Sequence, residues 1–277
     1  MNVEIAAMLV TTSLLGGCAR APSPLTPQWE GSIGTPSLGV LTHGVALPST
    51  GDGYRWLRHD ERHYGLPRFA AVLERVAGAV ARERPGATLV VGDLSVARGG
   101  QLLPHFSHRT GRDVDLLLYV TTLDGAPVDS PGFVHFDADG LARDEKNDRF
   151  LRFDVEREWL LVKALLTDPE ARAQWIFVNH MLEAMLVEWA TARGEPSELV
   201  LRAERVMAEP SPGGLHDDHI HVRTACAPED VAGGCEPSGP QRPWLAFAPA
   251  TDETAVEELV LEVARPIDAS GATAGVD

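Results

Sequence analysis

Apolar side chains recur at helical spacing in four stretches of the body of the chain and run together or alternate in several shorter ones. Phe69, Val72, Leu73, Val76 and Val80 predict a helix over residues 67–84, stopped by Pro85-Gly86. The same periodicity predicts helices over 155–166, 180–193 and 195–207, the last with Ser197 as its start signal. Residues 88–96 (TLVVGDLSV) and 113–120 (DVDLLLYV) read as strands, and 175–178 as a short one. Residues 219–224 (HIHVRT) alternate, with the histidines on the polar side of a strand. Residues 31–48 mix Gly, Ser and Thr with short apolar runs, as loops and short strands do, while 121–154 are polar and predict a long loop or an irregular hairpin over the site. Pro210-Ser-Pro-Gly-Gly214 interrupts every pattern. Together these elements predict an α+β fold, one domain over residues 31–247 with a central antiparallel sheet flanked by helices.

The two ends carry a different composition. Residues 5–17 (IAAMLVTTSLLGG) are apolar and end in Leu15-Gly16-Gly17-Cys18, after which Pro, Ser and Thr form a linker over 19–30. Thirteen apolar residues are too short to span a bilayer as a helix, and small residues before a cysteine fit lipoprotein processing, so residues 1–18 are expected to be a lipoprotein-type signal peptide. Against that pattern, Met1 to Glu4 has no Lys or Arg. Residues 248–277 form an acidic tail in which Val256, Leu259, Val260 and Val263 keep helical spacing, as a short helix does.

Charge narrows the function. The 277 residues hold 24 Lys plus Arg against 40 Asp plus Glu, a net charge of -16, which is unsuited to neutralising phosphates and excludes nucleic acid as the expected partner. Half of that charge lies beyond residue 224, so the body is only moderately acidic. Three cysteines without a CxxC pair give no structural zinc site; in an oxidising compartment Cys226 and Cys235 are free to pair, and in a reducing one they are two buried thiols.

Five of the ten histidines fall in two short segments, 104–115 (PHFSHRTGRDVD) and 214–223 (GLHDDHIHVR). Neither HxH nor a His followed by a distant Asp is specific alone; the accompanying His105 and His216, acids and glycines make the set informative. A hydrolytic zinc site uses three protein ligands from His and Asp or Glu and leaves a fourth position open to water. On a strand His219 and His221 share a face, so one can bind a metal while the other stands beside the water. His108, before a Thr-Gly-Arg turn, and Asp115, on the following strand, can fold back to one point, giving two histidines and one carboxylate with spare imidazoles at the sheet. His43, His59, His63, His135 and His180, taken singly, read as structural.

Ser107-His108-x-x-Gly111-x-Asp113-x-Asp115, with His216-Asp217-Asp218-His219-x-His221-Val222-Arg223, resembles the penicillin-insensitive murein endopeptidases. These are zinc peptidases of the lysostaphin, D-Ala-D-Ala metallopeptidase and hedgehog group. The resemblance extends from Ser32-Ile33-Gly34 and Gly44 to Pro48, through Gly92-Asp93 and Gly99-Gly100, to Ile176-Phe177-Val178-Asn179 and Arg223. It implies that His108, Asp115 and His221 bind one Zn²⁺, and that His219 holds or deprotonates the attacking water, since no Glu base stands here. It implies that His105 and His216 orient water or substrate, and that Asp113 fixes a ligand histidine through its other ring nitrogen. The implied reaction is hydrolysis of the D-alanyl to meso-diaminopimelyl amide that cross-links peptidoglycan, outside the cytoplasmic membrane.

Two departures qualify what the resemblance implies. Arg109 stands where relatives often carry Gln, and a guanidinium near the metal favours a peptide carboxylate. The family's N-terminal cysteines are missing from residues 31–48, so only a Cys226 to Cys235 bridge can be expected. Alternative readings are a D,D- or L,D-carboxypeptidase or another cell-wall amidase on the same zinc site, and a non-catalytic zinc-containing peptidoglycan-binding lipoprotein. The expected location is the periplasm, with lipid at Cys18 holding the chain to a membrane; Ala19 leans toward the outer one.

Overall fold

The computed structural model describes residues 30–210 and 216–245. The lipoprotein-type segment, Cys18 and the expected tail helix lie outside these residues. The described chain opens with a hairpin, β1 (Gly31–Thr35) and β2 (Leu38–Thr42), followed by the two-residue strands β3 (Val45–Ala46) and β4 (Thr50–Gly51). Next come β5 (Tyr54–Trp56), β6 (Tyr64–Gly65), which pairs with β3, and helix α1 (Pro67–Glu83). Strands β7 (Leu89–Val91) and β8 (Asp113–Leu117) follow, then β9 (Val120–Thr122), β10 (Pro127–Val128), β11 (Leu141–Asp144) and β12 (Arg149–Phe153). The remainder is α2 (Val155–Thr167), β13 (Ala173–Phe177), α3 (His180–Ala192), α4 (Ser197–Val206), β14 (Met207–Ala208), β15 (His219–Thr224) and α5 (Pro228–Ala232).

The central sheet has seven strands in the order β14-β13-β15-β8-β7-β5-β4. It is α+β in content, as expected from the sequence, with helices packed on one another and on the sheet; the sheet is antiparallel at its centre and mixed as a whole. β13 and β14 are parallel, as are β5 and β7. Each parallel pair is joined through helices, α3 and α4 in one case and α1 in the other, which return the chain to the end it started from. The joints β13-β15, β15-β8 and β8-β7 at the centre are antiparallel, and they carry the polar cluster described below.

The period of two along β8 and β15 divides their side chains between two environments. Val114, Leu116, Ile220 and Val222 are fully buried and join the core that contains Leu73, Val76, Trp159, Leu161 and Leu165 of α1 and α2. Such burial contributes roughly 1.5–3 kcal/mol per large aliphatic side chain. Asp113, Asp115, His219, His221 and Arg223 point to the other face. Register sets His221 opposite Asp115 and Arg223 opposite Asp113. A slip of one residue would send both rows into the wrong medium, so the hydrophobic pattern that builds the core also aligns the polar row.

The helices begin where local chemistry favours it. Pro67 starts α1. Asp154 caps α2 by accepting from the Arg157 amide at 3.2 Å, and Asn179 caps α3 by accepting from the Met181 amide at 2.9 Å. The strand expected over 113–120 divides at Tyr119, whose amide donates to the Glu158 carboxyl and whose carbonyl accepts from Asp154, turning the chain into a second sheet. Residues 121–154 are therefore more than a long loop or a single hairpin: short strands among them, joined by turns, build the antiparallel sheet β10-β9-β12-β11, in which β11 and β12 are a hairpin. In β12 the buried Leu151 and Phe153 alternate with exposed Phe150 and Arg152. Cys226 and Cys235 are disulfide-bonded around α5.

Glu158 generates a stability prediction. Burial pushes its carboxyl from 4.5 up to about 8, so the folded chain holds a proton that the unfolded carboxyl loses at lower pH. The stabilising contribution is complete below about pH 4.5 and is lost as pH rises toward 8. Glu158→Gln is expected to remove this loss, so that its stability relative to the parent chain rises by a few kcal/mol between pH 5 and pH 8 in paired denaturation curves. A pH-independent difference would contradict the assignment.

Candidate metal centre

A four-residue segment after β7 frames the centre. The Asp93 carbonyl accepts from the Asp115 amide at 2.9 Å, and the Leu94 carbonyl accepts from His108 Nδ1 at 2.7 Å. The Ser95 hydroxyl donates to the His108 carbonyl and accepts from the Gly111 amide, fixing the turn that carries His108. His108 itself has φ 63°, a left-handed conformation uncommon for a side chain of this size. At Gly99, φ +63°, a Cβ would lie 2.0 Å from the Arg109 carbonyl oxygen. Only glycine permits the close approach that lets the Gly100 amide bond the Arg109 carbonyl at 2.9 Å.

Asp115 is the hub. From its Oδ1, His108 Nε2 is 3.2 Å away, His219 Nε2 3.4 Å and His221 Nδ1 3.4 Å; His105 Nε2 is 3.7 Å from Oδ2. His108 and Asp115 are fully buried. Each of the three nearer imidazoles has its other nitrogen engaged by an acceptor: His108 by Leu94, His221 by Asp113 at 2.8 Å, and His219 by Asp218 at 2.5 Å. A carbonyl can only accept, so His108 Nδ1 carries a proton, and Nε2, facing a carboxylate, either holds a second proton or shares a cation with it. His108 Nε2 and both Asp115 oxygens are buried with no hydrogen-bond partner. Acceptors facing one another in the interior are costly unless a cation lies among them.

The charges agree. Burial penalises the Asp115 carboxylate, but His108 and His219 more than offset this and hold it well below the usual range. Burial lowers His219, yet Asp115 and Asp218 raise it to about 10, while burial dominates at His221 and lowers it to about 4. Asp113, buried as well, is held low by Arg223, whose Nε donates to it at 2.6 Å, and by His221. The centre thus demands positive charge, as protons or as a metal ion. Zinc-type bonds of about 2.1 Å at tetrahedral angles place donor atoms roughly 3.4 Å apart, which the Asp115-centred separations match. The donor set, imidazole and carboxylate, suits a divalent metal of this kind.

Taken by mutual ligand-atom distance alone, His105, His108 and Asp115 form a candidate triad within 4.8 Å. His105 Nε2, however, lies 2.8 Å from Asp93 Oδ2 and is committed to that carboxylate. The structure brings all six sequence-predicted residues together: His216 adjoins the group through ring contacts with His219 at 4.8 Å and His221 at 5.9 Å. The other histidines stand apart from Asp115. His63 is buried in a stack on Trp56, and His135 and His180 are exposed partners of Asp217 and Glu183.

Sequence reasoning missed several contributors. Asp218 anchors His219, Phe133 sets its edge against that ring at 5.3 Å, and Arg58 and Arg62 bind Asp93. Phe133 and the two arginines come from segments with no chemical signature. Arg109, singled out from the sequence, makes no ion pair with the centre among the described residues; its amide donates to the Pro36 carbonyl. The cations that reach the centre's carboxylates are Arg223, Arg58 and Arg62.

Residues 32–243 match the family described as penicillin-insensitive murein endopeptidase. The chain is 30% identical over 233 residues to the protein of that name from Haemophilus influenzae, covering 80% of this chain and 72% of the relative. It is 28% identical to the Klebsiella pneumoniae protein of that name, covering 88% and 84%, and 28% identical to one from Escherichia coli, covering 83% and 81%. The segment that holds the His/Asp centre lies wholly within the match, and the chain belongs to the penicillin-insensitive murein endopeptidase family.

Proposed function

We propose that this protein is a zinc-dependent hydrolase of the D-alanyl to meso-diaminopimelyl amides that cross-link peptidoglycan. The observation that carries the reading is the buried Asp115 carboxylate, without a hydrogen-bond partner and faced by imidazole nitrogens whose opposite atoms are tied down. The relatives' name, murein endopeptidase, supports the substrate class.

On this reading His108, Asp115 and His221 hold the ion: His108 Nε2 and His221 Nδ1 stand 3.2 and 3.4 Å from Asp115 Oδ1, with their other ring nitrogens held from behind. His105 bonds Asp93 through Nε2 and, on this reading, orients substrate or water. Zinc held by these residues would supply a Lewis acid to polarise the scissile carbonyl and lower the pKa of bound water toward neutrality. His219 is the general base: its side chain is 13% exposed, against 0% and 5% for His108 and His221, so it faces the side from which water and substrate arrive. Asp218 holds Nδ1–H, which leaves Nε2 to take the proton from water and return it to the departing amine. The imidazolium formed in between stabilises negative charge on the carbonyl oxygen, and His216 supports the His219 ring.

No helix among the described residues is long and apolar enough to cross a membrane. Attachment through lipid on Cys18, in the periplasm, is the arrangement we propose from the apolar run that precedes it. Cys18→Ser is then expected to move the protein from the membrane to the soluble fraction of lysed cells; unchanged membrane retention would contradict lipid attachment.

Purified cross-linked muropeptide dimers are expected to yield monomers, a conversion stopped by chelator and restored by Zn²⁺, with products read by mass spectrometry. Release of a free amino acid instead would identify a carboxypeptidase, and no release by zinc-loaded protein would favour a binding role. His219→Ala is expected to lower turnover by about 10²–10⁴-fold while keeping its metal. His221→Ala is expected to lose both. Full activity in either variant removes the role given to that residue.

A further inference from the structure

The loop between β5 and β6 places two arginines beside the metal centre. The Arg62 carbonyl accepts from the Leu94 amide at 2.7 Å, and the Leu94 carbonyl is the one that accepts from His108. Arg58 Nη2 and Arg62 Nη1 both donate to the buried Asp93 carboxylate, the Arg62 bond measuring 3.2 Å, and His105 engages the same carboxylate. Both Nε atoms lie near Asp60, at 3.5 and 3.4 Å, and Arg62 Nη1 also donates to the Leu103 carbonyl at 3.2 Å. Arg58 sits 5.9 Å from the centroid of Phe133, the ring that walls His219. Two guanidinium groups are thus locked to the backbone segment that positions His108 and Asp115.

They are not buried in the way that purely structural arginines of this chain are. Arg112 and Arg223 have no exposed surface, whereas the Arg58 and Arg62 side chains are 42% and 34% exposed. Among the described residues, Arg58 Nη1 and Arg62 Nη2 have no protein acceptor, although every other guanidinium nitrogen that faces Asp93 or Asp60 is engaged. Asp60 and Asp93 offset the net charge and fix the planes of the two groups. What is left for a ligand is charge-assisted N–H donors on two held guanidinium groups, the donor type that suits a carboxylate.

We infer that Arg58 and Arg62 form a carboxylate-recognising subsite beside the metal centre, taking the free carboxylate of the residue on the amine side of the cleaved amide. The identity of that residue rests on the proposed endopeptidase reading. In a D-alanyl to diaminopimelyl cross-link, the carbon bonded to the scissile nitrogen carries a free carboxylate, two bonds from the reacting atom. A substrate whose carbonyl sits at Asp115 and His219 therefore delivers this anion to the wall of the centre, and rigid donors there align the amide for attack. Asp93 is a positioning residue: it holds both arginines and His105 in one register.

The test is calorimetric titration of the purified full-length, zinc-loaded protein with a monomeric diaminopimelate stem peptide, which contains no cross-link to cleave, and with the same peptide carrying a carboxamide in place of that carboxylate. The parent chain is expected to bind the carboxylate form roughly tenfold or more tightly than the carboxamide. Arg58→Gln and Arg62→Gln are each expected to erode that preference by weakening the carboxylate form alone, with zinc content unchanged, and Arg58→Lys and Arg62→Lys to retain part of it. No preference in the parent chain overturns the proposal. So does a preference that survives both Gln variants, or an equal loss for both peptides. Dimer cleavage, read in parallel, separates the two claims: a carboxylate preference without cleavage leaves the subsite standing and removes the endopeptidase reading.

Discussion

The arrangement depends on one buried carboxylate. Asp115 has no exposed surface and no hydrogen-bond partner, and three imidazole nitrogens point at it from 3.2 to 3.4 Å. An isolated interior charge of this kind costs several kcal/mol, and removing one member of such a group leaves the others uncompensated. The chain tolerates the cluster because positive charge gathers there, whether on His219 and His108 as protons or as a metal ion that displaces them. Each imidazole is then oriented from behind by an acceptor on a different element: a carbonyl after β7, Asp113 on β8, and Asp218 before β15.

What allows this concentration of polar groups is the two-sidedness of β8 and β15. Val114, Leu116, Ile220 and Val222 are aliphatic and join the core built with the helices, and they alternate with Asp113, Asp115, His219, His221 and Arg223. Core formation sets the register, and the register sets His221 against Asp115 and Arg223 against Asp113. Arg223, stacked 5.6 Å from the Phe177 ring and bonded to Asp113, continues the polar row one step further from the opening. Hydrophobic burial, which is not directional, thus helps to set the imidazole nitrogens 3.2 to 3.4 Å from the Asp115 carboxylate.

The same logic explains what could be read before any coordinates. HIHVRT reveals its strand because it alternates from His219 to Arg223, and α1 spans Pro67–Glu83, one residue from the end read off its apolar stripe. The six candidate site residues were legible because His and Asp clustered in two short segments, and because those segments resembled a known family. Residues 121–154 were not, since their strands are two to five residues long with polar edges, and pairing of β9 with β12 is a long-range event that local pattern does not encode. Likewise the nine residues expected as a strand from Thr88 contribute only Leu89–Val91 to the sheet; the following Gly92 to Ser95 instead braces the centre. Arg58 and Arg62 gave no signal at all, because an arginine in a loop acquires chemical meaning only from what lies beside it in space.

The central claim is that Asp115 and the imidazoles around it bind a single metal ion. Zinc K-edge absorption spectroscopy on the purified protein, with metal content determined in parallel, tests it directly. The account predicts one zinc per chain, four-coordinate, with nitrogen and oxygen neighbours at about 2.0–2.2 Å and two of them imidazole. Zinc bound through sulfur, or a folded protein that takes up no stoichiometric metal, would contradict it.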